Sequence, residues 1–232
     1  MSNQLDVRVI SIGTLPAHPL WGERQQARTG HSTTTLIAGD NVRVLVDPGL
    51  PGAALAARLS ERAGLSPDDI THVFLTSFRP DTRRGIGIFT RATWLIAESE
   101  REAVGVPLAA RLRDLADDDQ ADEALRKVLA EDVAVLQRCT PAEDSIAPSV
   151  DLFPLPGVSP GMCGLLVAQS RHTTLICGDA IPTVEHLERG MVMQGAVDLD
   201  RARESFKEAV EIADLLVLGR DNMVVNPTRG PW

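Results

Sequence analysis

The chain has no tyrosine, and aromatic residues make up only 3% of its 232 residues. The core must therefore be built from aliphatic side chains, which the 44% hydrophobic content supplies. No apolar run approaches the roughly 20 residues that a membrane-spanning helix needs. The N-terminal segment is polar and acidic, unlike a secretory signal. We therefore expect a cytoplasmic protein with no membrane contact.

Basic residues and cysteines are also scarce. The 23 basic residues are outnumbered by 32 acidic ones, which gives a formal net charge of -9. Nonspecific nucleic-acid binding requires cations that neutralise phosphates, so we expect no nucleic-acid partner. The three cysteines, Cys139, Cys163 and Cys177, are an odd number without the spacing of a metal site. We expect them to be buried, reduced thiols.

Apolar periodicity predicts alternating strands and helices within one domain over residues 1–232. Strands are expected at residues 6–12, 32–38, 42–46, 71–76, 92–97, 133–137, 150–155, 164–168, 173–177 and 215–218, and helices at 53–63, 98–126 and 198–212. Each half of the chain has a β-hairpin followed by alternating strands and helices. This order predicts two mixed sheets packed face to face with helices outside.

Polar or glycine-containing loops follow five of the predicted strands. They are Asp47-Pro48-Gly49, Ser77 to Gly85, Pro156 to Gly161, Gly178-Asp179 and Gly219-Arg220-Asp221. An acidic residue directly after a buried strand needs a partner, because removing its charge from water is costly. In a two-sheet sandwich these loops can meet at one edge, which makes that edge the candidate site.

This ordered set of loops resembles the metallo-β-lactamase superfamily of hydrolases over residues 32–222. The resemblance implies an α+β fold, a four-layer αββα sandwich, with one or two metal ions, usually zinc, at its open edge. Its substrates are esters, thioesters, lactams and phosphodiesters. The family places metal ligands in a His-x-His-x-Asp-His motif, in a Pro-Gly-His turn, in Gly-Asp, and at a His after the last strand. The matching positions here are Ser77, Arg79, Asp81 and Thr82, then Val158, Asp179 and Arg220.

The histidines of the family's metal motif are thus replaced. Only Asp81 and Asp179 retain ligand oxygens, whereas the cations at 79 and 220 would repel a metal. We expect a degenerate metal site, no cofactor, and neither zinc nor another divalent metal. Any metal that did bind would use Asp81 and Asp179. The two arginines are predicted to pair with these carboxylates.

Further residues are predicted around this pocket. Asp47 supports the metal site in the family and is interpreted here as a turn and hydrogen-bonding residue. His31 and Arg83 are placed at the rim, and Glu185 and His186 are interpreted as a surface pair on a helix that could approach the pocket. The sequence assigns no catalytic residue.

Three functions remain open on these residues. The first is a pseudoenzyme without metal, or a protein that binds a small anionic ligand in the Arg/Asp pocket. The same four residues could instead form a buried ion-pair network that only stabilises the fold. The second is a divergent metal-dependent hydrolase that uses Asp81, Asp179 and non-standard ligands. The third is a structural or partner-binding subunit, for which a homo-oligomer is one form.

Overall fold

The structure, a computed structural model, describes residues 5–116 and 122–229. Its strands are β1 (Asp6–Ser11), β2 (Thr34–Ala38), β3 (Arg43–Val46), β4 (His72–Leu75), β5 (Thr93–Ile96), β6 (Thr140–Pro141), β7 (Ser145–Ala147), β8 (Val150–Pro154), β9 (Cys163–Ala168), β10 (Thr173–Gly178), β11 (Leu215–Leu218) and β12 (Met223–Val225). Its α-helices are α1 (Gly52–Ala63), α2 (Glu98–Ala116), α3 (Glu123–Arg138), α4 (Val184–Arg189) and α5 (Leu199–Ile212).

The strands form two six-stranded mixed sheets, one from each half of the chain. The first sheet has the order β1-β2-β3-β4-β5-β6, and the second has the order β12-β11-β10-β9-β8-β7. In the first sheet β1, β2 and β3 pair antiparallel, and β3 to β6 continue in parallel. In the second sheet β10 and β11 are parallel neighbours, and the other pairs are antiparallel.

Alternating side chains on the strands produce three layers of core. On β3, Leu45 packs with the helices outside the first sheet, while Val44 and Val46 face the second sheet. On β10, Ile176 lies between the sheets and Leu175 packs with α5. Successive residues of a strand point to opposite faces, so both faces of both sheets are covered. The predicted four-layer αββα sandwich is confirmed.

Helix α1 shows how local sequence sets an element. Leu55 and Leu59 are four residues apart, so they lie on one face, and both are fully buried. The helix ends at Gly64, whose φ of 66° is the left-handed conformation that glycine adopts without a Cβ clash. The predicted helix over residues 53–63 is therefore present with nearly its predicted bounds.

The region after β5 differs from the sequence prediction. The single helix expected over residues 98–126 is two helices, α2 and α3, and residues 117–121 lie outside the described ranges. The strand expected at residues 133–137 is wrong, because these residues belong to α3. Leu129 and Leu136, two helical turns apart, bury one face of α3 against the core, and this packing outweighs the local strand pattern.

The cysteines and the helices agree with the other expectations from composition. Cys139, Cys163 and Cys177 are buried free thiols. Burial raises the pKa of Cys139 to about 11 and that of Cys163 to about 12, so these thiols are protonated at neutral pH. Within the described residues, no helix has the length and apolarity needed to cross a membrane. A cytoplasmic location stays a prediction.

Candidate functional site

The loops after four strands lie against one another at one edge of the sandwich. Thr76, after β4, donates a backbone hydrogen bond of 2.9 Å and a hydroxyl hydrogen bond of 2.7 Å to the carboxylate of Asp47, after β3. Gly178, at the end of β10, packs against Thr76 so closely that a Cβ would overlap the threonine side chain. Gly219, after β11, has no room for a Cβ beside the Gly178 carbonyl. The second sheet therefore brings its loops directly onto those of the first.

Arg220 and Asp179 form a bidentate ion pair at the centre of this edge. Arg220 Nε donates to Asp179 Oδ1 at 2.7 Å, and Nη2 donates to Oδ2 at 2.6 Å. The remaining nitrogen, Nη1, donates to Asp81 Oδ2 at 2.6 Å. The Arg220 side chain has no exposed surface, so one buried cation joins two carboxylates from different sheets.

The pKa directions follow from this geometry. Burial alone would raise the pKa of Asp179, but the charge and hydrogen bonds of Arg220 outweigh it and lower the pKa below the usual range. Burial would also lower the pKa of Arg220, but the two carboxylates raise it. Asp179 and Arg220 are therefore both charged at neutral pH.

Arg79 occupies the outer side of the same group. Its Nε lies 3.7 Å from Asp81 Oδ1, and its Nη1 lies 3.7 Å from Asp179 Oδ2. These distances allow charge attraction but exceed a hydrogen bond. Nη1 instead contacts Met193 Sδ at 3.8 Å, and the side chain is 38% exposed. The Arg–Asp cluster (Arg79, Asp81, Asp179 and Arg220) thus contains both predicted arginines, but Arg220 alone makes hydrogen bonds to the carboxylates.

One polar atom of the cluster and one beside it have no hydrogen-bond partner among the described residues. They are Asp81 Oδ1 and Ser77 Oγ, and both are buried. Buried polar atoms are nearly always paired with protein, water or ligand. These two atoms therefore mark the part of the site at which the protein leaves hydrogen-bonding capacity unused.

Thr82 and Val158, the other two predicted pocket residues, have structural contacts. The Thr82 hydroxyl is 2.8 Å from both the Ser77 and the Arg79 carbonyl oxygens, so it closes the loop on itself. Val158 is buried in the apolar cluster that also contains Leu155 and Met162. These side chains shape the loops and leave the polar chemistry to the Arg–Asp cluster.

Asp47 holds the loop after β4 in place by accepting two hydrogen bonds from Thr76. Its φ is 50°, and its side chain is buried under Thr76. Burial raises its pKa to about 7, although the two hydrogen bonds from Thr76 lower it. The predicted turn and hydrogen-bonding role agrees with these contacts.

Glu100, which the sequence analysis did not select, connects the fifth loop to the site. Its carboxylate is fully buried and accepts hydrogen bonds from the Phe78 backbone at 2.9 Å and the Gly161 backbone at 3.0 Å. The Ser159 hydroxyl lies 2.6 and 2.7 Å from its two oxygens. Glu100 thus ties the loop after β4 to the β8–β9 turn. Its position in the first turn of α2 directly after β5 is the one sequence signal that could have indicated it.

A second polar group, the Thr183 network (His18, Thr183, Glu185 and His186), lies next to the cluster at α4. Thr183 Oγ1 is 2.8 Å from Glu185 Oε2, 2.8 Å from His186 Nδ1 and 3.2 Å from His18 Nε2. A carboxylate only accepts hydrogen bonds. The Thr183 hydroxyl can donate to Glu185 and accept from both imidazoles, while His18 Nδ1 is buried without a hydrogen-bond partner among the described residues.

The interpretation of Glu185 and His186 as a surface pair is wrong. His186 is buried, and burial lowers its pKa. Glu185 accepts a hydrogen bond from Trp21 Nε1 at 2.8 Å, and the Trp21 ring stacks on His18 with 4.1 Å between centroids. The loop that contains His18 and Trp21 covers α4, so a pair that looks exposed in the sequence is enclosed.

Two residues predicted at the rim point elsewhere. Arg83 Nη2 donates to Asp132 on α3 at 2.6 Å, and the Arg83 guanidinium lies 4.2 Å from the Phe78 ring centroid. A ring nitrogen of His31, Nε2, lies 3.1 Å from the Ile12 carbonyl oxygen. Arg83 therefore pairs with α3 and His31 with the segment after β1, and neither contacts the Arg–Asp cluster through these bonds.

The sequence model of the metallo-beta-lactamase superfamily matches residues 27–225. The chain belongs to this superfamily. The resemblance seen in the five loops is confirmed. None of the curated protein sequences matches the chain.

Solved structures of this superfamily share the fold. A Thermotoga maritima protein described as a metallo-beta-lactamase aligns with a TM-score of 0.68 and 19% identity, covering 96% of this chain and 99% of its own. A Staphylococcus aureus protein described as a metal-dependent hydrolase has a TM-score of 0.67 and 15% identity, with 94% and 90% covered. The dizinc quorum-quenching lactonase AidC has a TM-score of 0.61 and 18% identity, with 90% and 80% covered.

These comparisons correct the expectation about metal. The prediction of no cofactor, with neither zinc nor another divalent metal, is wrong, because the similar structures include a dizinc lactonase and a metal-dependent hydrolase. The side chains at this edge nevertheless do not fit a metal centre as they are placed. Among the described residues, no three His, Cys, Asp or Glu side chains form a group that could hold an ion. The Arg220 guanidinium lies between the two carboxylates that would have to bind one.

Proposed function

We propose that this member of the superfamily binds a small anionic ligand through Arg79, at the outer side of the Arg–Asp cluster. The observation that supports the proposal is the state of the Arg79 guanidinium, which is partly exposed and makes no hydrogen bond to an oxygen atom within the described chain. Guanidinium groups bind carboxylates and phosphates through two parallel hydrogen bonds. Arg220 has already used three of its N–H groups on Asp81 and Asp179, so Arg79 is the available cation.

The unpaired oxygen of Asp81 adds a requirement on the ligand. Asp81 Oδ1 can only accept a hydrogen bond, and it lies 3.7 Å from Arg79 Nε. The two carboxylates and two arginines balance in charge, so excess positive charge does not attract the ligand. We expect an anionic group with a donor beside it, such as a hydroxyl group or the proton of a monoanionic phosphate.

A ligand screen tests this function. Inorganic phosphate and a set of phosphorylated and carboxylated metabolites are screened by thermal shift, and binders are measured by calorimetry. Arg79→Gln should weaken binding about tenfold or more, the loss expected for a charge-assisted bidentate contact. Arg84→Gln is the matched control, because Arg84 is an exposed cation in the same loop. A screen without binders, or equal binding by Arg79→Gln, would leave only a buried ion-pair network.

A metal-dependent hydrolase is the second candidate, because the similar structures include a dizinc lactonase and a protein described as a metal-dependent hydrolase. It would require Arg220 to leave Asp81 and Asp179. The test is the metal content of protein purified without chelator, together with turnover of ester, thioester, lactone and phosphodiester substrates. Stoichiometric zinc, iron or manganese that is lost in Asp81→Ala and in Asp179→Asn would establish this function in place of the first. If both ligand binding and turnover are absent, a structural or partner-binding role becomes the working hypothesis.

A further inference from the structure

A cavity of about 270 Å³ lies between α2 and α3, and Glu100 is not among its lining residues. Its walls are mainly aliphatic, and three polar residues complete them. The lining consists of Gly105, Val106, Leu108, Ala109, Val133 and Leu136, with Arg101, Glu102 and Gln137. Concave sites with apolar walls and few polar groups are typical of small-molecule binding.

The cation of this cavity has no partner. Arg101 is half-buried, its Nε is fully buried, and its guanidinium makes no hydrogen bond or ion pair within the described residues. Two neighbouring arginines differ in this respect. Arg83 is paired with Asp132, and Arg138 stacks on the Trp94 ring and donates to the Thr90 carbonyl. A half-buried charge without a partner is costly, so the cavity favours a ligand that supplies an anion.

The backbone of α2 creates the space. Gly105 has no side chain at the point where α2 faces Leu136, and a Cβ there would lie 3.3 Å from Leu136 Cδ2. Glycine in a helix interior costs about 0.5–1 kcal/mol relative to alanine. At this position the glycine keeps the space between α2 and α3 open, and an alanine methyl group would already make that space smaller.

We propose that the α2–α3 cavity binds an aliphatic monocarboxylate. The carboxylate pairs with Arg101, whose planar fork matches it bidentately. The alkyl chain lies along Val106, Val133 and Leu136. Glu102 and Gln137 stand at the polar side, and the negative charge of Glu102 disfavours a dianionic head such as a phosphate ester. One unpaired cation beside one exposed carboxylate therefore selects a singly charged ligand with an apolar chain.

Sodium octanoate is the test ligand, measured by calorimetry and by amide NMR shifts on the full chain. We expect one octanoate per chain, with shifts confined to α2 and α3. Arg101→Met keeps the aliphatic stem and removes the charge, and it should weaken binding about tenfold or more. Octanol has the same alkyl chain without the charge. Its affinity for the wild-type protein should be as low as the affinity of octanoate for Arg101→Met. Ala109→Leu reduces the cavity and should also weaken octanoate binding.

Two control variants separate this site from others. Arg111→Met removes an exposed arginine of α2, and Arg79→Gln disables the proposed anion site; neither should change octanoate affinity. Equal binding by wild-type protein and a folded Arg101→Met variant, or no binding by wild-type protein, would overturn the proposal. Loss of octanoate binding in Arg79→Gln would also overturn it, by placing the ligand at the Arg–Asp cluster.

Discussion

Arg220 faces Asp179 through two parallel hydrogen bonds of 2.7 and 2.6 Å, with both side chains almost completely removed from solvent. An ion pair in this environment is costly to form and still more costly to break, because removal of one partner leaves the other charge buried. The pair therefore makes the edge of the sandwich highly sensitive to single substitutions.

Arg220→Met should lower the free energy of unfolding by about 3–5 kcal/mol, because Asp179 would remain buried without the cation that donates its hydrogen bonds. Urea denaturation of both proteins at pH 7 measures the change. Adding Asp179→Asn to Arg220→Met should recover part of the loss. Arg203→Met removes an exposed pair with Asp200 on α5 and should have no measurable effect. A loss from Arg220→Met as small as that of the Arg203 control would contradict the interpretation.

Asp47 should give the protein an unusual pH dependence. Burial raises the pKa of Asp47 to about 7, whereas an unfolded aspartate titrates near about 3.9. The folded protein thus holds this proton more tightly, so the stabilising contribution is complete below about pH 4 and is lost as the pH rises through about 7. Asp47→Asn cannot titrate. Its stability relative to wild type should therefore rise from pH 4 to pH 7 and then stay constant, as measured by urea unfolding. Parallel stability curves would show that the Asp47 pKa is not raised.

Glu100→Ala should destabilise the protein by about 3 kcal/mol or more, since the Phe78 and Gly161 backbone N–H groups and the Ser159 hydroxyl would lose their buried acceptor. Thermal and urea unfolding measure the loss. The next acidic residue of α2, Glu102, is exposed, and Glu102→Ala should change stability by less than about 0.5 kcal/mol. Similar values for the two variants would show that the loops do not depend on Glu100.

Thr183→Val keeps the shape of the side chain and removes the hydroxyl at the centre of the Thr183 network. We expect a loss of about 1–3 kcal/mol, because the buried His186 Nδ1 loses its partner and His18 Nε2 keeps only the Glu185 carboxylate, at 3.2 Å. The tryptophan emission spectrum, to which Trp21 contributes, should also shift, since Glu185 would no longer be fixed beside the Trp21 indole. Thr90→Val, at an exposed threonine, is the control. Unchanged stability and emission in Thr183→Val would indicate that the network does not hold this loop.

The sequence predicted the sandwich because its strands are short, strongly apolar and separated by glycine and proline. The run at residues 215–218 matches β11 at both ends, since Leu215 to Leu218 has no competing helical pattern. The strand prediction for residues 133–137 was wrong because the valines of this run are compatible with either a strand or a helix. The choice depends on packing against the first sheet, which is not a local property.

The contacts of the site could be predicted only in part. Pairing of arginine with aspartate follows from charge once the five loops are aligned, although the roles assigned to these residues stay predictions. Arg220 makes hydrogen bonds to both carboxylates, and Arg79 makes none to either. This difference depends on side-chain placement, which the sequence does not specify. His18 lies 165 positions from Thr183, and no local pattern connects such distant residues.

The bond between Arg220 and Asp81 joins residues 139 positions apart in the chain. The two loops can meet only once both sheets have paired, so we expect this contact to form late in folding. Interactions absent from the folding transition state act on the unfolding rate. We therefore expect the guanidinium that fills the edge of the sandwich to slow unfolding and to have little effect on the rate of folding.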